Sequence, residues 1–343
     1  MKKIITALLA LLALALAAGF TAYNYAQSLG KVRLINNALV FNVKKGETLT
    51  SVINRLIGEQ PSWRIKLYLK FNPKFHTIRS AYYDLKEARN LEEALTLLES
   101  GKGLTTKINL IPGKTWKQYK SYLNEIQGAN NNLKGLSDPE IAKQLNLTPI
   151  AGDKQAFKNL EGYFAPNTYL IDYMSDTASA LRLAHKDLVK NLQQAWDSRN
   201  SRSQAKTPYE LLILASIIEK EKGNNEEAPL ISAVFNNRLA IGMPLQADPT
   251  VIYGMGDSYK GNITKNNLRT PTPYNTYTIP ALPPTPIANV SVNSLMAAAQ
   301  PTNVDYLYFM AVYGQGKHAF AKTYEQHLVN VEKFNNEYRK NHK

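Results

Sequence analysis

A carboxylate stands at the boundary between an apolar run and a charged run in the middle of the chain. The run LLILASII, at positions 211 to 218, is followed at once by EKEK. Glu219 is the first carboxylate of that series. The end of a helix and partial burial both favour the protonated form of a carboxyl group. Such an acid can protonate a glycosidic oxygen, although a solvated ion-pair position is the alternative interpretation.

Local signals place this carboxylate at the end of a helix. Thr207 can cap the helix, Pro208 suits its first position, and Gly223 is well placed to end it. Residues that are apolar all round predict a helix buried in a globular core. Glu221 does not complete a pair with Glu219, because two residues turn about 200° around a helix axis.

Other kinds of catalytic site are missing from the sequence. Cysteine is absent, which excludes disulfides, thiolate metal sites and a thiol nucleophile. The five histidines show no HExxH spacing, and no GxSxG segment occurs. We therefore expect no metal and no cofactor. Hydrolysis by two carboxyl groups about 5 to 10 Å apart would need a partner for Glu219, and Asp248 is the obvious candidate.

Several short blocks occur in a characteristic order. LASIIEKE, VFNNRL, IGMPLQADPTVIYG and PYNTY follow one another between Leu214 and Tyr277, with LEGYFAPNTY before them and KHAF after them. This order resembles the endolytic murein transglycosylases of the MltG/YceG-like family. One departure is Asn167, where the family pattern leads us to expect Asp.

The resemblance implies a lytic transglycosylase in which Glu219 is the catalytic acid. Such an enzyme would cleave the β-1,4 bond between N-acetylmuramic acid and N-acetylglucosamine without water. The C6 hydroxyl of the muramyl residue would attack its own C1 and leave a 1,6-anhydromuramyl end, which needs only one protein carboxyl group. The candidates for holding the sugars or the developing charge are Gln246, Asp248, Tyr253, Asn275, Tyr277, His318 and Glu161. Turn formation, loop bonding, packing or a buried ion pair would explain these residues as well.

Two other functions stay open at this point. A non-catalytic peptidoglycan-binding scaffold for cell division would use a basic surface, and a hydrolytic muramidase would differ only in its product. The net charge of +14 favours anionic partners, but no nucleic-acid-binding motif accompanies it. We expect peptidoglycan glycan strands as substrate, a penicillin-binding synthase as a possible partner, and no nucleic acid.

The N-terminus predicts a single-pass membrane anchor. Two lysines precede the uncharged run from Ile4 to Tyr23, which is long enough to cross a bilayer core. The lysines should stay in the cytoplasm, which places the remainder in the periplasm. The alternative is a cleaved signal peptide, because Ala13-Leu14-Ala15 and Ala15-Leu16-Ala17 are small-x-small sites.

The remaining pattern predicts an α+β protein in four parts. These are a transmembrane anchor at 1–26, a connector at 27–38, a LysM-like α+β subdomain at 39–103 and an α+β catalytic domain at 104–343. The LysM likeness depends on a strand, a turn containing GETL and a helix. Within the catalytic domain we expect a loop at 243–254, a buried strand at 306–312, and neither helix nor central strand in the proline-rich stretch 269–286.

Overall fold

A computed structural model describes residues 2–35 and 40–342, and the chain forms two compact units. The first unit comprises the residues up to Thr106 together with Asp172–Ser175. The second comprises Lys107–Ile171 and the chain from Asp176 onward. The predicted connector and the predicted start of the next domain, at residue 39, lie partly outside the described residues.

The first unit combines helices with a two-stranded antiparallel sheet. Its elements are α1 (Lys2–Gln27), β1 (Val40–Val43), α2 (Leu49–Ile57), α3 (Ser62–Phe71), β2 (Ala81–Asp84) and α4 (Leu91–Glu99). β1 pairs with β2 so that Val40 lies opposite Asp84. The helix expected after the GETL turn is present as α2, and its residues Val52, Ile53 and Leu56 are buried in the core of this unit.

Helix α1 is the candidate membrane span. Its 26 residues correspond to about 39 Å, compared with a bilayer core of about 30 Å. Nearly all of its side chains are exposed, and only Ala26 is buried. Among the described residues it is the one helix whose length and composition suit a membrane crossing.

The second unit is mainly helical, with two further two-stranded sheets among the residues that the structure describes. Its elements are β3 (Thr105–Leu110), α5 (Trp116–Glu125), α6 (Asp138–Leu145), β4 (Asn167–Asp172), α7 (Ala178–Asp197), α8 (Pro208–Glu221), α9 (Ala228–Ala240), α10 (Asp248–Met255), α11 (Lys265–Arg269), α12 (Val292–Ala299), β5 (Tyr308–Val312), β6 (Lys317–Ala321) and α13 (Tyr324–Asn341). β3 pairs with β4, although Thr105, Thr106 and Asp172 of these strands are counted with the first unit, and β5 forms an antiparallel hairpin with β6. The mixture of helices and sheets confirms the predicted α+β class.

Helix α8 lies at the centre of the second unit. Every residue from Leu211 to Ile218 is buried, and α7, α9, α10 and α12 all pack against this helix. The one polar side chain in the run, Ser216, donates to the carbonyl of Ile213 at 2.7 Å and accepts from the N–H of Ile287 at 3.0 Å. The predicted buried helix is confirmed, and its buried polar atom is satisfied.

Both ends of α8 follow the local sequence signals. The Thr207 hydroxyl accepts from the backbone N–H of Glu210 at 3.1 Å, as the cap prediction requires. The helix ends at Glu221, and Lys222 serves as its C-cap, one residue before the predicted Gly223. Glu219 and Glu221 therefore both lie in the last turn.

For the segments after α8, one prediction is wrong and another is confirmed only in part. The expected loop at 243–254 contains helix α10, because Asp248 and Pro249 suit the first turn of a helix. The strand expected at 306–312 begins at Tyr308 and is only partly buried, because β5 belongs to a hairpin with one neighbour. The proline-rich stretch 269–286 forms neither helix nor strand after Arg269, its first residue, which ends α11.

The cap of α8 can be tested by substitution. Thr207→Ala removes the side-chain acceptor of the Glu210 N–H, and we expect it to reduce the free energy of unfolding by about 1 kcal/mol. Thr207→Ser keeps an acceptor and is the matched control. Denaturant unfolding of the detergent-solubilised chain measures both. Equal destabilisation by the two variants would show that the cap contributes little.

Candidate active site

Several hydrogen-bond donors surround the carboxyl group of Glu219. Its Oε2 accepts from the Ser291 N–H at 2.9 Å, the Ser291 hydroxyl at 2.5 Å and the Ser294 hydroxyl at 2.7 Å. Lys222 Nζ lies 3.1 Å from Oε1. Only 5% of the Glu219 side chain is exposed. Ser291 caps α12, so Glu219 ties the end of α8 to the start of α12.

These contacts give Glu219 the role of a hydrogen-bond acceptor. Charge-assisted bonds of this kind are stronger than neutral ones, and here they join two packed helices. The sequence predicted a proton donor at this position. In the folded chain the carboxyl group is surrounded by a lysine and two serines that all donate to it.

Glu221 has different surroundings at the last residue of the same helix. No side chain among residues 2–35 and 40–342 donates a hydrogen bond to its carboxyl group, and the residue is partly exposed. Burial and the charge of Asp248 raise the pKa of Glu221 to about 7, against the opposing effects of Arg238 and Lys220. This carboxyl group can hold a proton near neutral pH and give it to a ligand.

Asp248 lies on the first turn of α10 and is hydrogen-bonded. It accepts from the Tyr277 hydroxyl at 2.6 Å, and the N-terminus of the helix favours its negative charge. The structure thus brings together Glu221, Asp248 and Tyr277, which we call the carboxylate cluster. Arg238 is fixed close by, since its guanidinium donates to the carbonyls of Leu307 and Leu245, at 2.7 Å each.

Gln246 and Asn275 each lie two residues before a member of the carboxylate cluster, and their hydrogen bonds hold the backbone there. Gln246 has a φ of +52°, an unusual conformation for a residue other than glycine, and its N–H donates to the Thr276 carbonyl at 3.0 Å. Its side chain is exposed. Asn275 is buried and donates from Nδ2 to three backbone carbonyls of the preceding turn, those of Asn267, Leu268 and Thr270. It also accepts from the Tyr277 N–H at 2.9 Å, so it shapes the loop that carries Tyr277.

Glu161 and Tyr253 form a second, buried group. Glu161 is 2% exposed, and the Trp116 N–H at the start of α5 donates to both of its oxygens, at 2.9 and 3.1 Å. Burial raises the pKa of Glu161 to about 8, although the bonds from Trp116 and Tyr253 lower it. Tyr253 also packs on Tyr274, with ring centroids 5.0 Å apart. Through these contacts Glu161 holds the start of α5, and Tyr253 packs on the segment that carries Tyr274.

His318 pairs with a buried carboxylate. Its Nδ1 lies 2.9 Å from Glu227 Oε2, and its backbone N–H donates to Glu227 Oε1 at 2.7 Å. This pairing joins β6 to the start of α9. The described contacts do not link His318 to the carboxylate cluster.

The sequence does not single out Glu221, Ser291 or Ser294, which the structure places around the end of α8. Helical spacing predicts that Glu221 points away from Glu219, and the two residues have different partners. The side to which Glu221 points is where Asp248 and Tyr277 lie, and local spacing does not show this. The serines carry no motif, and only the packing of α12 on α8 brings them to Glu219.

Comparison with known proteins agrees with the resemblance that the order of the sequence blocks indicates. The sequence profile of the YceG-like family matches residues 41–333. A protein of Bacillus subtilis named endolytic murein transglycosylase is 31% identical over 267 residues, which cover 75% of this chain and 73% of the relative. A protein of the same name from Streptococcus pneumoniae is 28% identical, over 77% of this chain and 52% of its own length. The chain therefore spans about half of the pneumococcal relative.

A solved structure is also similar. The crystal structure of a yceG-like protein from Listeria monocytogenes has a TM-score of 0.55 and 29% sequence identity, and the match covers 84% of this chain and 98% of the other.

The charge of Asp248 can be tested through the titration of Glu221. Asp248→Asn removes a negative charge that raises the pKa of Glu221, so we expect that pKa to fall below about 7. Burial remains, and the pKa should stay above that of an exposed glutamate. Tyr277→Phe keeps the charge and is the control. Carboxyl ¹³C NMR over a pH series measures the titration, and an unchanged midpoint in Asp248→Asn would contradict the electrostatic coupling.

Proposed function

The chain belongs to the YceG-like family, and from that premise we propose that it is an endolytic murein transglycosylase whose proton donor is Glu221. It is a lytic transglycosylase acting on peptidoglycan. The proposed reaction cleaves the β-1,4 bond between N-acetylmuramic acid and N-acetylglucosamine and leaves a 1,6-anhydromuramyl end. Cleavage within nascent strands would limit their length.

One observation carries the choice of proton donor. Glu221 has a pKa raised to about 7 and no internal hydrogen-bond donor within the part of the chain that the structure describes, whereas Glu219 accepts from Ser291, Ser294 and Lys222. The surroundings of Glu221 suit an acid that must give up its proton near neutral pH. The surroundings of Glu219 suit a carboxylate that joins two helices.

The reaction requires a single carboxyl group in two protonation states. Glu221 gives its proton to the glycosidic oxygen as the bond from C1 to that oxygen breaks. The ionised Glu221 then accepts the proton of the muramyl C6 hydroxyl as its oxygen bonds to C1, which restores the acid and consumes no water. The attacking hydroxyl is already part of the substrate and so loses little entropy.

A nearby negative charge stabilises the positive charge that develops at C1 in the transition state. Asp248, oriented by the Tyr277 hydroxyl, supplies one beside Glu221. Electrostatic stabilisation by a preoriented group lowers the barrier without rearrangement during the reaction. Asp248 is thus proposed to stabilise an oxocarbenium-like transition state.

The remaining predicted site residues receive separate roles in this proposal. The exposed side chain of Gln246 contacts the sugar, and Asn275 holds the loop that carries Tyr277. Glu161 with Tyr253, and His318 with Glu227, position the neighbouring segments. Glu219, to which the sequence resemblance assigns the acid, keeps α8 and α12 in register.

We also propose that α1 anchors the chain in the cytoplasmic membrane. The lysines at its start would remain in the cytoplasm, and the two units would lie in the periplasm. The small unit, with the predicted LysM-like subdomain at 39–103, would bind the glycan strand. A penicillin-binding synthase that makes the strand is the proposed partner.

A pair of amide variants tests the proton donor. We expect Glu221→Gln to lower cleavage by at least about a hundredfold, the scale of a general acid, because the amide cannot supply the proton. Glu219→Gln should retain most of the activity and lose stability, because it weakens the bonds to Ser291 and Ser294. Purified glycan strands and denaturant unfolding give the two readouts. Loss of cleavage in Glu219→Gln but not in Glu221→Gln would identify Glu219 as the proton donor. Full activity in both variants would favour a non-catalytic peptidoglycan-binding scaffold.

The mass of the product separates transglycosylation from hydrolysis. Muramyl ends should be about 18 Da lighter than hydrolysed ends, because no water is added. Mass spectrometry of strands after incubation with the chain measures this difference. Reducing ends that contain the full mass of water would identify a muramidase.

A further inference from the structure

Helix α3 of the first unit turns an aromatic and basic face to the outside. Ile65, Tyr68 and Leu69 are buried in the core. The opposite face carries Trp63 at one end and Phe71 at the other, which are 56% and 45% exposed. Residues this exposed add little to the core of the unit, and exposed aromatic residues that occur together on one helix are candidates for a contact site.

The aromatic residues of α3 contact the end of helix α1. Phe71 packs edge-on against Tyr23 with ring centroids 5.0 Å apart, and Trp63 stacks on Tyr25 at 5.7 Å. Tyr23 and Tyr25 are themselves 41% and 45% exposed. The four rings form two pairs at the point where the uncharged run of α1 ends, one on each side of that helix, because Tyr23 and Tyr25 are two residues apart. We call Tyr23, Tyr25, Trp63 and Phe71 the aromatic surface.

Arg64 fixes this arrangement. Its guanidinium lies over the Tyr25 ring, 4.2 Å from the centroid, and donates to the Tyr25 carbonyl at 3.3 Å and to the Ser28 hydroxyl at 2.9 Å. The contact holds the start of α3 against the last turn of α1. The aromatic surface thus has a defined position relative to the span.

The same helix carries positive charge. Lys66 and Lys70 lie between Trp63 and Phe71 on the exposed face, and Lys74 follows shortly after. Within residues 2–35 and 40–342, none of these lysines has an acidic ion-pair partner, and Arg64 has none either. Phenol and indole rings favour the boundary between hydrocarbon and water, and lysines close to an acidic bilayer surface are attracted to it electrostatically.

We propose that the aromatic surface and the exposed face of α3 lie in the headgroup region of an anionic bilayer. The proposal depends on the proposed anchoring by α1 and adds a second membrane contact to it. The rings occupy the interface at the outer end of the span, while Lys66 and Lys70 face acidic headgroups. The first unit then has a fixed orientation relative to the membrane, which attachment through α1 alone would not give it.

Site-directed spin labelling of the full-length chain tests this proposal. The chain has no cysteine, so Leu67→Cys gives one label at a partly exposed position of α3, between Trp63 and Phe71, and leaves both aromatic residues in place. In vesicles containing anionic lipid, we expect the label at Leu67 to collide more with oxygen than with a water-soluble nickel chelate. Lys45→Cys, in an exposed turn of the same unit, should show the reverse. Leu12→Cys, midway along α1, reports on the anchor alone.

The outcomes separate the anchor from the second contact. A label at Leu12 in hydrocarbon with a label at Leu67 in water would overturn the proposal and keep the anchor. A label at Leu12 in water would refute both, whereas glycan cleavage would still report on the proposed activity.

Two further changes test the groups responsible for the second contact. Trp63→Ser combined with Phe71→Ser, in the Leu67→Cys background, should return the label to water. Vesicles without anionic lipid should make the label at Leu67 shallower. A label that stays equally deep in both cases would show that neither the rings nor the lysines seat the helix.

Discussion

Burial of α8 is the constraint on which the second unit depends. A helix that is apolar on every side can be accommodated only where other elements cover its whole circumference, and here α7, α9, α10 and α12 surround it. The helix must nevertheless end, and its last turn leaves the core with two carboxyl groups. The fold therefore delivers charge to the edge of a rigid apolar core, where water is partly excluded and electrostatic effects are strong.

The two carboxyl groups of that last turn illustrate how environment assigns chemistry. They are two residues apart, so they point to opposite sides of α8. Glu219 meets the serines at the start of α12 and becomes a structural acceptor. Glu221 meets the charge of Asp248, which disfavours its ionised form. Carboxylates whose surroundings differ in this way can divide structural and acid roles between them.

The segments around the carboxylate cluster are held without regular structure. The proline-rich stretch lacks ladder bonds, yet Asn275 ties it to the end of α11 through the carbonyls of Asn267, Leu268 and Thr270, and it also accepts from the Tyr277 N–H. Gln246 is bonded to the same segment in a left-handed conformation. A loop fixed in this manner can orient the Tyr277 hydroxyl on Asp248 before a ligand arrives, which is how a preorganised site reduces the cost of reaction.

Local patterns by themselves determined the α8 helix with its cap at Thr207, the uncharged run of α1, the strand, turn and helix around GETL, and the family. These depend on residues close together in the chain, such as an N-cap and its N–H or the face of an amphipathic helix. The order of blocks also indicated the segments that carry Glu219, Glu221, Asp248 and Tyr277.

Only the tertiary structure decided which side chains meet. The partners of Glu219 are 72 and 75 positions away in sequence, at Ser291 and Ser294. The charge that acts on Glu221 comes from a helix that the sequence led us to expect as a loop. Burial and long-range electrostatics depend on how helices pack, and helical spacing reports the direction of a side chain but not what lies in that direction.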